Sequence, residues 1–418
     1  MIQIQPITPE QYSAFGKNIK NWNFLNCEKQ YQRFLNDNRS VLLLGGFENG
    51  EMKAAAMVLL QSAARIFREA FIPRGFLLDW NNEELIQEFS NALKSYLASE
   101  KVLYISMSPY LAMQERDENG DLVEGVMNDE AAADYLRKAG WTVVRAKQGY
   151  DETQDASWMS VLDLRGKTAD QLLKEMDQQT RWSINRAGKF DLIVEKTDSW
   201  ENLEAFAKMM KHTGERNGFH TDDADYYKKI LDAFQDQAEL VLCWFDAPRF
   251  ISSQQKLYDQ AKADLEVCEE KLAEMPNSKK FVKKKKVSLE AMELAEKKIQ
   301  EAKDLEAKHG SRILLAGSLF LSAGNEMTYL TSGAYGDFMQ YNAPYLIHMH
   351  QIRKAIERGL DFYNFYGISG YFHKDEPGYS LFAFKKGFGC KIVELMGQAY
   401  LPVRPAEFAL YNKLKKIC

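Results

Sequence analysis

Cysteine is scarce in this 418-residue chain. There are five, an odd number, scattered at Cys27, Cys243, Cys268, Cys390 and Cys418. That spacing excludes a disulfide framework, and without a CxxC pair no zinc ribbon fits. Reduced thiols in a cytoplasmic protein are the expectation. Long apolar runs are missing as well. The best of them, residues 54–60, is strand-length and well short of the ~18–20 residues of a membrane span. Residues 1–11 hold neither a basic n-region nor an apolar h-region, so no secretory leader is read there. Excess positive charge is lacking too: the net charge is −5 and the pI about 5.9. The molecule as a whole is no general polyanion binder, and any nucleic-acid contact needs a local basic patch.

Chemical motifs are absent in the same way. No GxxxxGK(S/T) loop occurs, which argues against ATP-driven ligation, and no GxSxG elbow marks a serine nucleophile. No HExxH occurs, and His348 and His350 lie two apart on a predicted helix, where they face different ways. The acetyl-coenzyme A loop of common N-acetyltransferases is not evident, so no cofactor is expected.

What is present is strand–helix alternation in both halves. Residues 40–45, 54–61 and 102–106 read as strands around a helix at 83–99, in which Leu85, Phe89, Leu93 and Leu97 recur four apart. A helix at 131–139 and a strand at 141–146 follow. The pattern restarts with a strand at 157–164, a helix or helix pair at 168–186 capped by Thr168, and further elements at 192–195, 200–213 and 238–245. The expected class is α/β.

Composition changes at about residue 252. Tyr258, Ala261, Leu265, Cys268, Leu272 and Met275 are spaced 3,4,3,4,3, a coiled-coil seam. Pro276-Asn277-Ser278 breaks it, and Met292, Ala295, Ile299 and Ala302 form a second series. The spacing predicts an antiparallel hairpin with arms about 40 Å long at ~1.5 Å per residue. Its tip carries Lys279, Lys280, Lys283, Lys284, Lys285 and Lys286. A solvated loop end is one reading and a phosphate-backbone contact with RNA is the other. Globular sequence resumes with strands at 314–322 and 327–331, a helix at 344–358 and an aromatic strand at 361–367. The hairpin is therefore an insertion in a domain. The expected units are 1–150, then 151–248 with 311–418, and the arm 249–310. Residues 382–389 place lysines between aromatic rings: either a strand with rings inward, or a desolvated lysine able to stabilise negative charge.

The order of several short segments resembles the Fem/Mur (FemABX) family of non-ribosomal peptidyl transferases, closest to its coiled-coil-bearing FemA-like and MurM-like members. The segments are Asn23-Phe24-Leu25-Asn26 with Tyr31, Pro73-Arg74-Gly75, Pro109-Tyr110, Val161-Leu162-Asp163-Leu164, Tyr226-Tyr227, Tyr363-Asn364-Phe365-Tyr366-Gly367 and Phe384-Lys385-Lys386-Gly387. The resemblance implies two N-acetyltransferase-like (GNAT-like) subdomains. It implies transfer of an amino acid from aminoacyl-tRNA to the stem-peptide amine of a peptidoglycan precursor, lipid II or a nucleotide-linked pentapeptide, at the inner membrane face. A paralogous transferase is a further implied partner, and a non-catalytic partner of such a paralogue is the alternative role. An N-acyltransferase using another activated donor is a third.

The resemblance further implies that Phe384-Lys385 sits at the aminoacyl ester, with Lys385 holding the oxyanion, and gives the lysine-rich tip a role against tRNA. Tyr329, with Tyr335 nearby, matches a family tyrosine after the coil, and Arg181 a common basic position. Three positions depart from the pattern. Phe34 stands where relatives have a phosphate-contacting lysine, so Arg33 or Lys29, beside Tyr31, would substitute. Ser108 stands where they have aspartate. Thr221 stands for an arginine ahead of Tyr226, leaving Arg216 as the nearest cation. No side chain is indicated as a general base.

Overall fold

A computed structural model describes residues 1–64, 66–124, 129–151 and 154–418. Two β-sheets built to one plan organise it. The first runs, in spatial order, Gln3–Pro6, Ser40–Glu48, Glu51–Ala64, Phe67–Ile72, Val102–Met107, Gln398–Pro402 and Thr142–Val144. The second runs Ala112–Arg116, Lys391–Leu395, Trp158–Asp163, Phe362–Gly367, Glu326–Ala334, Arg312–Ala323, Ala238–Asp246 and Ile193–Thr197. Among the described residues each sheet has one parallel pair, Phe67–Ile72 with Val102–Met107 and Glu326–Ala334 with Phe362–Gly367. A parallel pair needs a crossover. Helix Glu83–Ala98 supplies the first and Ala343–Glu357 the second.

The sequence explains these crossovers. Asn82 accepts a hydrogen bond from the Leu85 N–H and starts the first helix. Ile86, Phe89, Leu93 and Leu97 then bury one face against the sheet, each contributing about 1.5–3 kcal/mol. Leu85 is only half-buried, and Ile86 takes the inner position beside it. The predicted helix pair is Ala169–Glu175 and Gln178–Ala187, and Thr168 forms a capping box with Gln171.

The sheets do not follow the boundary drawn at residue 150. Ala112–Arg116 pairs in the second sheet and Gln398–Pro402 in the first, so each half lends the other a strand. Of the two readings of residues 382–389, the strand is not found: Tyr379–Lys386 is a helix, started at Gly378 and ended at Gly387.

The hairpin is formed by helices Ala247–Glu274 and Lys279–His309. Ala261 and Cys268 are buried in its seam with Leu265 and Leu272 half-covered, while Met275 lies outside, 48% exposed. The second arm's seam begins earlier than expected. Phe281, Lys285 and Ser288 precede Met292 at spacings of 4, 3 and 4, and Ser288 is buried. Lys285 therefore lies at a seam position, and its ammonium donates to Glu269 at 2.7 Å. It does not belong with the outward-facing lysines of the tip.

Candidate functional site

Parallel pairing in the second sheet is short. It covers Glu326–Thr328 against Phe362–Asn364 and then stops. Pairing of the same strand with Trp158–Asp163 is irregular between Asn364 and Gly367. Tyr366 has φ +63°, a left-handed conformation that a bulky residue adopts at a cost of about 1–3 kcal/mol. The strands part beyond this point, and a crevice at the carboxyl ends of parallel strands is where ligands bind in such sheets.

Lys385 fills that parting. It is 3% exposed, and its ammonium donates to the Gly367 carbonyl at 2.6 Å, with the Tyr329 ring 5.9 Å away. Burial lowers its pKa to about 7, because the charged form loses water and has no carboxylate beside it. Phe384 stacks edge-on with Tyr345 and Phe388 and lies 5.4 Å from the His348 ring. His348 is a core residue. Its Nδ1 meets the Tyr363 hydroxyl at 2.7 Å, and burial together with Lys385 pushes its pKa down to about 3. Tyr329 is buried and its hydroxyl bonds Ser332. An aromatic shell thus surrounds a lysine amine with one acceptor. Such an amine can hold developing negative charge as a cation, or take a proton when neutral.

Across the same strand end lies a second constellation, at the junction of the halves. Arg74 has φ +56° and is 1% exposed. Its Nη1 donates to the Ala156 carbonyl at 3.1 Å, and the Tyr366 hydroxyl stands within hydrogen-bonding reach of the guanidinium. Desolvation works against its charge, and Asp155, Tyr366 and Tyr110 outweigh that, so its pKa is raised. Gly75 follows with φ +81°, and a Cβ there would stand 3.2 Å from the Pro109 Cα, so the two turns need glycine to approach. Tyr110 donates to Glu326 at 2.8 Å, Asn23 donates to the other Glu326 oxygen at 2.6 Å, and Asn364 donates to Tyr110 at 3.0 Å. Burial raises the Glu326 pKa against these donors. Ser108 donates to Asp155 at 2.6 Å, so a carboxylate from another segment stands beside Ser108.

The expected site residues divide between several places. Arg33 lies over the Tyr226 ring at 4.8 Å with its Nε 3.9 Å from the Asp37 carboxylate, and Tyr226 is within electrostatic reach of Tyr366. Phe24 meets the Tyr366 ring at 5.7 Å. Arg33, Tyr226, Tyr366 and Arg74 thus form a series leading to the Lys385 strand end. Arg216 is exposed beside Gly336, next to Tyr335, whose ring meets His212 at 5.4 Å. Lys29 is tied to Gln235 at 3.0 Å, and Tyr31 packs into the core between the halves. Arg181 donates to the Lys174 carbonyl at 2.9 Å and to that of Met176, closing the preceding helix. Arg74, Tyr110, Asp155, Glu326 and Asn364 were not among the expected site residues. Their only sequence signal is that most sit in the short motifs quoted above. No cluster of His, Cys, Asp or Glu suited to a metal occurs among the described residues. A cavity of about 520 Å³ opens elsewhere, between Lys17, Lys20, Trp22 and Gly324.

Comparison with known proteins is consistent across the chain. The model of the FemAB family matches residues 7–416. Aminoacyltransferase FemA of Staphylococcus aureus strains MW2 and COL is 27% identical over 412 residues, covering 98% of both chains. A crystal structure of FemX superposes with a TM-score of 0.85 at 24% identity, covering 98% of this chain and 99% of that one. A tandem GNAT protein from the clavulanic acid biosynthesis pathway gives a TM-score of 0.50 at 8% identity, over 97% of this chain and 99% of that one, a likeness of fold.

Proposed function

The chain belongs to the FemAB family, whose relatives of matching length are aminoacyltransferases, and from that premise we propose that it adds an amino acid to the stem-peptide amine of a peptidoglycan precursor, building the interpeptide bridge. The donor in this reading is an aminoacyl-tRNA, whose ester is already activated, and the acceptor is lipid-linked or nucleotide-linked. One observation carries the reading: a buried lysine amine at the open end of two parallel strands, donating to the Gly367 carbonyl.

The ester carbonyl sits by Lys385 and the acceptor amine approaches from the side of Arg33, Tyr226 and Arg74. Nitrogen attacks carbon, the C–N bond forms, and the carbonyl oxygen becomes an oxyanion held by the Lys385 ammonium. Collapse breaks the ester C–O bond, and the ribose oxygen leaves with the proton lost by the amine. Holding both partners at one strand end supplies much of the acceleration. Phe384 and Tyr329 fix the lysine and exclude water from it. Arg33 takes the part of the cation missing at Phe34, and Arg216 with Tyr335 lines the outer end.

The test is a transfer assay with the purified protein alone. tRNA charged with each amino acid is offered with lipid-linked and nucleotide-linked precursors, and mass spectrometry reads the product. The expected result is one amino acid transferred to one acceptor class, and transfer slowed at least about a hundredfold in Lys385→Met. Absence of transfer from every charged tRNA, with unaltered bridges in cells lacking the protein, would overturn the reading. Transfer only in the presence of a paralogue would assign the partner role instead.

A further inference from the structure

The far end of the hairpin differs chemically from the rest of the surface. Residues 275–289 contain six lysines and no Asp or Glu. Lys285 is paired with Glu269, and Lys286 lies 3.7 Å from Glu290. Lys279, Lys280, Lys283 and Lys284 are exposed, and none of them forms an ion pair within the described residues. Between these lysines stand apolar side chains that the seam does not use. Met275, Val282, Val287 and Leu289 are each about half exposed, at 48%, 54%, 56% and 46%. On one flank an open cleft of about 490 Å³ is lined by Val267, Phe281 and Val287 and rimmed by Lys280, Lys283 and Lys284, with Asp264 of the first arm at its inner end.

We propose that this tip docks on a membrane surface rich in anionic phospholipid, with the lysines at the headgroup phosphates and Met275, Val282 and Val287 at the acyl boundary. Two features favour lipid over RNA. A phosphate backbone would engage the lysines and leave four aliphatic side chains in water, whereas a bilayer interface covers them. Residues 250–311 contain no arginine, the residue suited to forked phosphate contacts and base stacking, and the one aromatic ring at the tip, Phe281, is half-buried in the seam. Lysine instead lays its stem along apolar surface and raises its charge to the headgroups. The inference does not rest on the acyl-transfer reading, because docking needs neither donor nor acceptor.

The experiment is co-sedimentation of the full chain with vesicles of phosphatidylglycerol and phosphatidylcholine, against phosphatidylcholine alone. Binding is expected to be at least about tenfold stronger on the anionic vesicles and to weaken with salt. The variant Lys279→Gln, Lys280→Gln, Lys283→Gln, Lys284→Gln should lose that preference. A second variant, Met275→Ser, Val282→Ser, Val287→Ser, keeps every charge. It should also bind anionic vesicles several-fold more weakly, at unchanged affinity for uncharged tRNA. Equal binding to neutral and anionic vesicles, or none to either, overturns the proposal. So does wild-type vesicle binding by the serine variant, or tRNA binding lost in the glutamine variant while vesicle binding survives. A dimer that the serine variant dissociates in sedimentation equilibrium would assign the patch to a second copy and overturn it as well.

Discussion

The two halves of the molecule make the same junction and fill it differently. Each has a parallel strand pair closed by a crossover helix; the second pair stops pairing at Thr328 and Asn364, while the first stays paired to Ile72 and Met107, the last residues of both strands. Just past the ends of the first pair stands Arg74, a side chain that stays charged and whose neighbours Asp155, Tyr366 and Tyr110 all favour the cation. In the gap of the second stands Lys385, whose one hydrogen-bond acceptor among the described residues is the Gly367 carbonyl and whose charge burial opposes. Arginine cannot give up its proton at physiological pH, while a desolvated lysine can. The first junction is built to hold, joining elements of both halves through Glu326 and Asn23. The second is built to respond to whatever charge enters beside it.

The largest effect should come from the responsive junction. Lys385→Met should slow transfer by about a hundred- to a thousandfold, the usual loss for a group that stabilises an oxyanion. The same variant should fold as well as the parent or better, because a buried charge with one partner is replaced by an apolar chain of similar length. A thermal melt beside the transfer assay reads both, and a variant that is inactive because it is unfolded would break the contrast. Arg74→Met should do the reverse. It removes the cation from a carboxylate and two tyrosines and should cost about 2–3 kcal/mol, at or below the range for breaking a buried pair, because Asp155 keeps part of its surface in water. Denaturant midpoints measure this; an unchanged midpoint would show that the first junction does not hold the halves.

A pH series sharpens the same difference. Lys385 has a folded pKa of about 7 against an ordinary lysine value of 10.5. Between those values the unfolded chain binds the extra proton, so stability rises with pH by up to about 1.4 kcal/mol per unit. Below pH 7 both states are protonated and the contribution is flat. The rise should vanish in Lys385→Met. If Lys385 works as a cation, transfer should fall as pH rises through about 7, and Lys385→Arg should move that limb upward.

Much of this was legible in residues. Strand–helix alternation and the 3,4 spacing of Leu265, Cys268 and Leu272 gave the class and the hairpin, because local periodicity records which face is buried. Register separates Lys285 from the other tip lysines: counting back from Met292 by 4, 3 and 4 reaches Ser288, Lys285 and Phe281, and Lys285 pairs with Glu269 across the seam. Residues 382–388 alternate aromatic and polar like a strand, but Gly378 and Gly387 set a helix with Phe382, Lys385 and Phe388 on its buried side. The exchange of Ala112–Arg116 and Gln398–Pro402 left no local trace, since a strand's partner is decided by geometry hundreds of residues away. Arg74 was quoted for its motif and not for its role. No spacing announces that its charge will be enclosed by side chains from three separate segments.

The smallest effect tests how the first junction is wired. The Tyr110 hydroxyl donates to Glu326 and accepts from Asn364, so Tyr110→Phe removes one donor from a buried carboxylate. The cost should be about 1 kcal/mol where Glu326 is protonated and up to about 2 kcal/mol where it is charged. Burial already holds the Glu326 pKa above its ordinary 4.5, and loss of the donor should raise it further. The sign follows from proton counting. Between 4.5 and the raised value the folded state binds the extra proton, so stability falls as pH rises through that window and is lost in full above it. The variant should therefore be nearer the parent at pH 5 than at pH 8. Chemical denaturation at the two pH values decides it. Equal costs at both would mean that Glu326 does not titrate through Tyr110, and that the first junction holds by shape and by Arg74 alone.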